Sequence, residues 1–327
     1  MTALPAISLL VCTRDRASAL AMLLDSVTVA VARAPHGAVE VILVDNGSQD
    51  DTADRLAQWR AARAFPVRVV QEPRAGLARA RNRGLDAARG AIIAMTDDDC
   101  VLDPGYFNEL ARCFGELDGP AIVGGRILPG DPADLPVTLK LEDHAMVARP
   151  GDFPGGFVMG ANLAFSAQVA ARVGAFDERF GAGAAFVSAE DTDYLFRATG
   201  LGIPLRYDPR FVVHHHHGRR LVADETRLLA GYSRGDGALY AKHLLRDRRV
   251  VGAIGRDIAD LWRDLVDPVT THRGIRRFYA FRLRHKAAGM IAYLREAPAR
   301  QPAADPTLAA TGRERRTRRP DSSLGSS

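Results

Sequence analysis

Apolar runs and helical stripes alternate through the first hundred residues. "ISLLV" at 7–11 is a short, largely apolar run, the pattern of a buried strand. In "CTRDRASALAMLLDSV", which follows, Leu20, Leu23, Leu24, Val27 and Val31 recur at helical spacing, and Thr13 or Asp15 stands where a cap would start the helix. "VEVILVD" (39–45) predicts a second strand, closed by the turn- and cap-forming "NGSQDDT", and Leu56 and Trp59 then mark a helix face. "VRVVQ" (67–71) predicts a third strand, residues 74–90 a helix ended by Gly90, and "AIIAMT" (91–96) a fourth strand. Strands and helices alternating at this pace imply right-handed βαβ units. The expected fold is α/β, with a mostly parallel central sheet flanked by helices. Such sheets bind ligands beyond the carboxyl ends of their strands. Polar residues collect at those ends: Thr13 and Arg14 after the first strand, Asp45 after the second, and Asp97, Asp98 and Asp99 after the fourth.

The pattern loosens after residue 120. A strand is expected at 121–124, a glycine-rich turn and strand at 155–166, a helix in "SAQVAARVG", and a helix over 188–202 with an acidic start and a glycine finish. "IPLRYDPRFVVHHHHGRR" reads as strand, turn, and a strand ending in histidines. Residues 221–300 are helical in pattern, and the polar, charged tail beyond them predicts disorder. The expected organisation is therefore an α/β domain over 1–218, a helical region over 219–300 and a tail over 301–327.

Bulk composition narrows the setting. With 47% hydrophobic and 25% charged residues in 327, the chain is an ordinary globular one. It has no apolar run of membrane-spanning length. The first residues lack a basic segment before their apolar stretch, so no signal peptide and a cytoplasmic setting are expected. Three cysteines, Cys12, Cys100 and Cys113, have no zinc spacing and read as free thiols. The formal charge of +5 is carried almost wholly by arginine, with lysine only at 140, 242 and 286, and residues 219–320 are distinctly basic. That asymmetry suggests an anionic neighbour, although arginine-rich usage also follows from a GC-rich genome. In residues 271–297, Ile275, Phe278, Tyr279, Leu283, Met290, Ile291 and Leu294 approximate one helix face amid arginines. This segment reads either as an amphipathic helix in peripheral contact with an anionic membrane or as a helix packed on the rest of the chain.

Three adjacent carboxylates on a strand end repel one another unless something positive neutralises them. For two acids at i and i+2 the usual neutraliser is Mg²⁺ or Mn²⁺ with oxygen ligands, although solvated loops and caps also carry such triplets. "EDTD" at 190–193 offers a second acidic site, where an aspartate or glutamate can serve as general base or merely favour a helix N-terminus. The histidines at 214–217 follow a strand and offer a nitrogen ligand or a solvated run.

The ordered series "SLLVCTRDRASALAMLLDSV", "EVILVDNGSQDDT" and "RAGLARARNRGLDAARGAIIAMTDDDCVLDPGYF" resembles a bacterial family 2 glycosyltransferase of the GT-A fold. It continues through "GFVMGANLAFSAQVAARVGAFDERFG", "AEDTDYLFRATGLGIPLRYDP" and "VVHHHH", so the resemblance covers residues 5–218. It implies an inverting transfer from a nucleotide-diphosphate sugar, a UDP-sugar before GDP or dTDP, to a glycan or lipid-linked acceptor hydroxyl. It places Thr13, Arg14 and Arg16 near the nucleotide, Asp45 on the base, and Arg74, Arg81 and Asn82 in a positively charged segment beside it. Asp97 and Asp99 become the two acids of a DxD motif, Asp97 near the ribose and Asp99 on a Mn²⁺ or Mg²⁺ ion, with Asp98 between them able to share either task. Asp191 becomes the catalytic base with Glu190 its rival, and His214 or His216 completes the metal site. Cys100 stands where many members have a further acid. The alternatives are a simple helix N-cap or turn former for Asp45 and solvated helix charges for Arg74 and Arg81. A sugar nucleotidyltransferase is the first alternative, but "CTRDRAS" stands where its glycine-rich phosphate loop belongs. A non-catalytic module binding an anionic polymer is the second. Nucleic acid is not an expected partner.

Overall fold

The computed structural model describes residues 6–266 and 275–296; the tail expected at 301–327 lies outside them. The strands are β1 (Ile7–Thr13), β2 (Val39–Asp45), β3 (Val67–Gln71), β4 (Ile92–Asp97), β5 (Cys100–Leu102), β6 (Ile122–Pro129), β7 (Met146–Val147), β8 (Asn162–Ser166) and β9 (Leu205–His215). The helices are α1 (Leu20–Arg33), α2 (Thr52–Ala61), α3 (Leu77–Ala87), α4 (Tyr106–Gly115), α5 (Ala167–Val173), α6 (Glu190–Gly200), α7 (Val222–His243), α8 (Arg248–Val266) and α9 (Phe278–Arg295).

Among the described residues the strands form one sheet in the order β3-β2-β1-β4-β8-β6-β9-β5, with β7 on β9. The first four strands are mutually parallel. β8 runs against β4 and β6, while β6 and β9 are parallel, so β1–β4, β6 and β9 share one direction. Chain order reverses between β1 and β4, which opens a crevice at their carboxyl ends. The apolar runs are continuous because both faces of the sheet are covered. Leu9, Val11, Val41 and Leu43 pack with residues of α1 and α4. Leu10, Ile42 and Val44 pack with residues of α3, α5 and α6 on the other face.

Three local expectations are corrected. The first helix begins at Leu20 rather than at Thr13 or Asp15, because Asp15 has positive φ (52°) and its carboxylate accepts from Gln49 N–H instead. Arg74 precedes α3 rather than lying on it, held by a fork onto Glu72. β9 is one strand where a turn was expected at "YDPR". The Asp208 carboxylate accepts from both the backbone N–H and the guanidinium of Arg210, and the irregular backbone is absorbed as a register shift against β6.

Residues through Tyr293 belong to the same compact unit as the sheet. Phe180, Phe186 and Phe196 bury against Ala238, Leu239, Tyr240 and Val250, docking α7 and α8 beside α6. Helices α7 and α9 cross with their backbones in contact: a Cβ on Gly237 would strike the Lys286 backbone, and one on Gly289 the Arg234 backbone. Asp193, on α6, is fully buried. It accepts from Lys242 Nζ at 2.7 Å and Arg197 Nε at 2.9 Å, and His243 Nε2 lies 2.8 Å away. Met290 and Tyr293 pack on the cluster around Phe180 and Phe196, while Ile291 stays 50% exposed, so the apolar face expected of this helix is divided.

Candidate active site

The ends of β1 and β4 and the start of α6 open on a cavity of about 910 Å³. Thr13 and Cys12 pair with Asp45 and Asp97 across the parallel ladders, which puts three chain segments level at the crevice. Thr13 Oγ1 donates to Asp98 Oδ2 at 2.7 Å. Arg16 spans the next two acids, with Nε 3.3 Å from Asp98 and an Nη 3.2 Å from Asp99. Burial pushes the Asp98 carboxyl up to about 6, against the pull of Thr13 and Arg16.

His215 is the histidine that reaches the acids. Its Nε2 lies 3.1 Å from Asp99 Oδ1. This corrects the expectation of His214 or His216. Alternate residues of a strand face opposite ways, and the β5–β9 register pairs Cys100 with His215 and Val101 with His214. His216 instead donates its backbone N–H to the Asp99 carbonyl at 2.8 Å. The His215 ring is set from behind by Thr138, whose Oγ1 lies 3.2 Å and whose carbonyl O lies 3.4 Å from Nδ1. Burial works against charge on Asp99, but His215 and Arg16 outweigh it and hold that carboxyl below its usual range.

These residues fit a divalent cation. Asp99 Oδ1 is buried and receives no well-aligned hydrogen bond. When the His215 ring is neutral with its proton on Nδ1, facing the Thr138 carbonyl, Nε2 offers a lone pair beside Asp99 Oδ1. The carboxylate suits both Mn²⁺ and Mg²⁺, whereas an imidazole nitrogen beside it suits the softer Mn²⁺ better than the oxygen-seeking Mg²⁺. Cys100 Sγ lies in the same cluster, but burial keeps its thiol protonated and it sits 3.9 Å from the Ala161 carbonyl.

Arg81 joins the two acidic sites. It is 4% exposed, with one Nη 2.9 Å from Glu190 and the other 3.5 Å from Asp97. Gly160 permits this, because a Cβ there would press on the Arg81 guanidinium. The Gly160 N–H donates to Asp191 Oδ2 at 2.9 Å, and the Thr192 N–H to Asp191 Oδ1 at 2.7 Å. Ala189, just before α6, has φ 73°, a left-handed conformation uncommon for a residue with a Cβ. Burial and then the Asp191 charge push the Glu190 carboxyl up to about 7, while Arg81 pulls it down. Burial likewise raises Asp97, again opposed by Arg81.

Thr13, Arg14, Arg16, Arg81, Asp97, Asp98, Asp99, Glu190 and Asp191 all line the cavity. Three other expected site residues are engaged in other ways. Asp45 accepts from Ser48 N–H and closes a turn. Arg74 is committed to Glu72. Asn82 bonds the Phe176 backbone through both ends of its amide, fixing α3 to the loop before α6. Arg219, Tyr232, Asp236 and Lys286 also line the cavity and were not singled out from sequence. They lie beyond the apolar pattern that marks the sheet, and only the change to basic, helical composition signalled that region.

Residues 8–166 match the model of the family described as "Glycosyl transferase family 2". The glycosyltransferase AglE of Haloferax volcanii is 32% identical over 126 residues, which are 38% of this chain and 40% of AglE. This chain spans less than half the length of the curated relatives it matches. Among solved structures, the mannosyltransferase PcManGT from Pyrobaculum calidifontis, in complex with GDP-Man and Mn²⁺, is similar with a TM-score of 0.57 at 20% identity, over 95% of this chain and 80% of that one. S. aureus TarS 1-349 in complex with UDP-GlcNAc is similar with a TM-score of 0.50 at 14% identity, over 91% of this chain and 94% of that one. The likeness to both is one of fold. The matched segment, which contains β1, β4 and the acid triplet, is similar to glycosyl transferase family 2, and the fold is the GT-A fold of these structures.

Proposed function

We propose that the chain transfers a sugar from a nucleotide-diphosphate sugar to an acceptor hydroxyl, with inversion, in the synthesis of a cell-surface polysaccharide or glycolipid. One observation carries the reading: Asp97–Asp99, at the end of β4, and Asp191, at the start of α6, open on one cavity. The loop after β1, with Thr13, Arg14 and Arg16, receives the nucleotide, and Arg16 and Arg219 direct positive charge toward its diphosphate. Asp99 and His215 would hold Mn²⁺ or Mg²⁺, with Asp97 adjacent, and a cation bound there would supply positive charge that stabilises a leaving diphosphate. Asp191 accepts the proton of the acceptor hydroxyl as that oxygen bonds to the anomeric carbon and the bond to the diphosphate breaks. Its two oxygens are oriented by backbone N–H groups, whereas Glu190 is tied to Arg81, so Asp191 is the freer base. A UDP-sugar, or one of GDP or dTDP, fits the donor class, in keeping with the GDP-Man and UDP-GlcNAc bound by the two similar structures. No described helix is long and apolar enough to cross a membrane.

The test is a screen of nucleotide sugars for nucleoside-diphosphate release, with and without Mn²⁺. One donor class should be turned over. Asp191→Asn should lower transfer by about 10²–10⁴-fold while nucleotide still binds. Full transfer by that variant removes Asp191 from the role, and release of pyrophosphate favours a nucleotidyltransferase.

A further inference from the structure

The cavity does not end at Asp191. It continues along a wall built by α7, α8 and α9, from residues beyond the family match. That wall carries three acids, Asp236, Asp257 and Asp260, and three bases, Arg256, Arg282 and Lys286. The charges balance, and much of the balance is internal. Lys286 Nζ lies 2.7 Å from Asp257, and Arg282 lies 3.6 Å from Asp236. Within these six side chains no charge is in excess, although Arg219 lines the same cavity at the edge of the wall, and Leu228, Leu229 and Ala253 set apolar patches among the charges.

Two further observations point to a ligand. Ser233, on the same wall, is 1% exposed and its Oγ has no hydrogen-bond partner. A buried hydroxyl left unpaired costs stability unless something at the wall completes it. Tyr232, its neighbour, keeps 41% of its surface exposed and lines the cavity, as an aromatic face for a flat apolar surface would. Asp236 completes the set: its ion contacts, to Arg282 and Lys286, are no shorter than 3.6 Å, so its oxygens retain capacity to accept hydrogen bonds.

We propose that this wall is the acceptor subsite and that it takes a neutral, polyhydroxylated glycan unit, with Ser233 and Asp236 bonding its hydroxyls and Tyr232 covering one ring face. Carboxylate and hydroxyl groups match sugar hydroxyls, and an aromatic face matches the C–H side of a sugar ring. The proposal rests on the glycosyl-transfer reading, since it places the acceptor next to Asp191.

The probes are methyl glycosides of glucose, galactose, mannose and N-acetylglucosamine, set against methyl glucuronide and glucose 6-phosphate. Binding to the full chain is read by saturation-transfer NMR, and UDP and GDP binding with Mn²⁺ is measured in parallel by calorimetry. At least one neutral glycoside should bind more tightly than both anionic probes. Asp236→Asn and Tyr232→Ala should each weaken it, Asp236→Asn by about tenfold, the scale of a hydrogen bond to a charged group. Nucleotide affinity should stay within about twofold, because neither residue contacts the acid triplet. The Tyr232 variant alters an exposed side chain, so it keeps the test valid if Asp236→Asn does not fold. Stronger binding of an anionic probe, no glycoside binding, or unchanged affinity in a folded variant overturns the proposal. If glycosides bind but neither nucleotide does, the donor reading fails and the glycan site stands.

Discussion

Asp193→Asn keeps the shape of a fully buried side chain and removes its charge. In the native protein that charge is met by Lys242 at 2.7 Å, Arg197 at 2.9 Å and His243 at 2.8 Å. Two of the three come from α7, so the carboxylate is the electrostatic anchor between α6 and the C-terminal helices. Breaking a buried ion pair from one side costs about 3–5 kcal/mol, because the partner is left uncompensated. Here part of the loss is cushioned. Lys242 keeps Asp177 at 2.8 Å, and Arg197 still donates to the carbonyls of Val173 and Ala175. The expected destabilisation is therefore about 2–4 kcal/mol, read as a lower urea midpoint and a Tm lower by roughly 5–12 °C. The substitution should also change the acid response. Despite burial, these cations hold Asp193 well below the usual carboxylate range, and Arg179 and Lys242 bring Asp177 to about 2. The unfolded chain then binds protons near pH 4 that the folded chain refuses, so native stability is present above that pH and is lost as pH falls toward 2. Asp193→Asn should flatten that slope. A loss under about 1 kcal/mol, or an unchanged acid slope, refutes the anchoring argument.

Other consequences follow from the same geometry. Arg81→Met strands Glu190 and Asp97 in a buried site; transfer activity should fall by at least about a hundredfold, with partial recovery in Arg81→Lys, and wild-type kinetics in the Met variant would show the bridge to be dispensable. Glu190, held near 7, should give the pH–rate profile an acid limb, with activity falling below that pH as the carboxyl protonates and releases Arg81; Glu190→Gln should remove that limb. Gly289→Ala pushes α9 off α7 and should cost about 1–3 kcal/mol in denaturant unfolding; a neutral result would mean that the crossing yields easily. His215→Ala should weaken Mn²⁺ binding, followed by calorimetry, by at least about tenfold, the lower bound for losing even an outer-shell partner, while His214→Ala leaves it unchanged.

The half of the fold with βαβ rhythm was legible because its strands are buried on both faces, and continuous apolar runs such as "VEVILVD" have few other readings. The acids at strand ends were legible for the same reason: topology alone puts Asp97–Asp99 at the crevice. The histidine was not. Four identical residues in a row carry no register, and which one meets Asp99 depends on where β5 settles against β9. Arg81 is a similar case. On the sequence it is one of several arginines on a helix, and only the missing side chain at Gly160 reveals that it lies inside. The domain boundary expected at 218 marks a change in secondary structure, yet residues from both sides of it line one cavity.

The turn of acids also has a mechanical meaning. Between β4 and β5 the chain has only Asp98 and Asp99, so from Asp97 to Cys100 it can reach at most about 10 Å. In sheet order the same two strands stand four places apart, a distance of about 19 Å across a flat sheet. The far end of β9, carrying β5, must therefore curl back over the strand ends, and the acid turn is the rivet that holds the curl closed. A ligand that neutralises the rivet clamps both limbs of the sheet at once. Donor occupancy should therefore appear as slower hydrogen exchange along β5 and the end of β9, not only in the loops that touch the nucleotide.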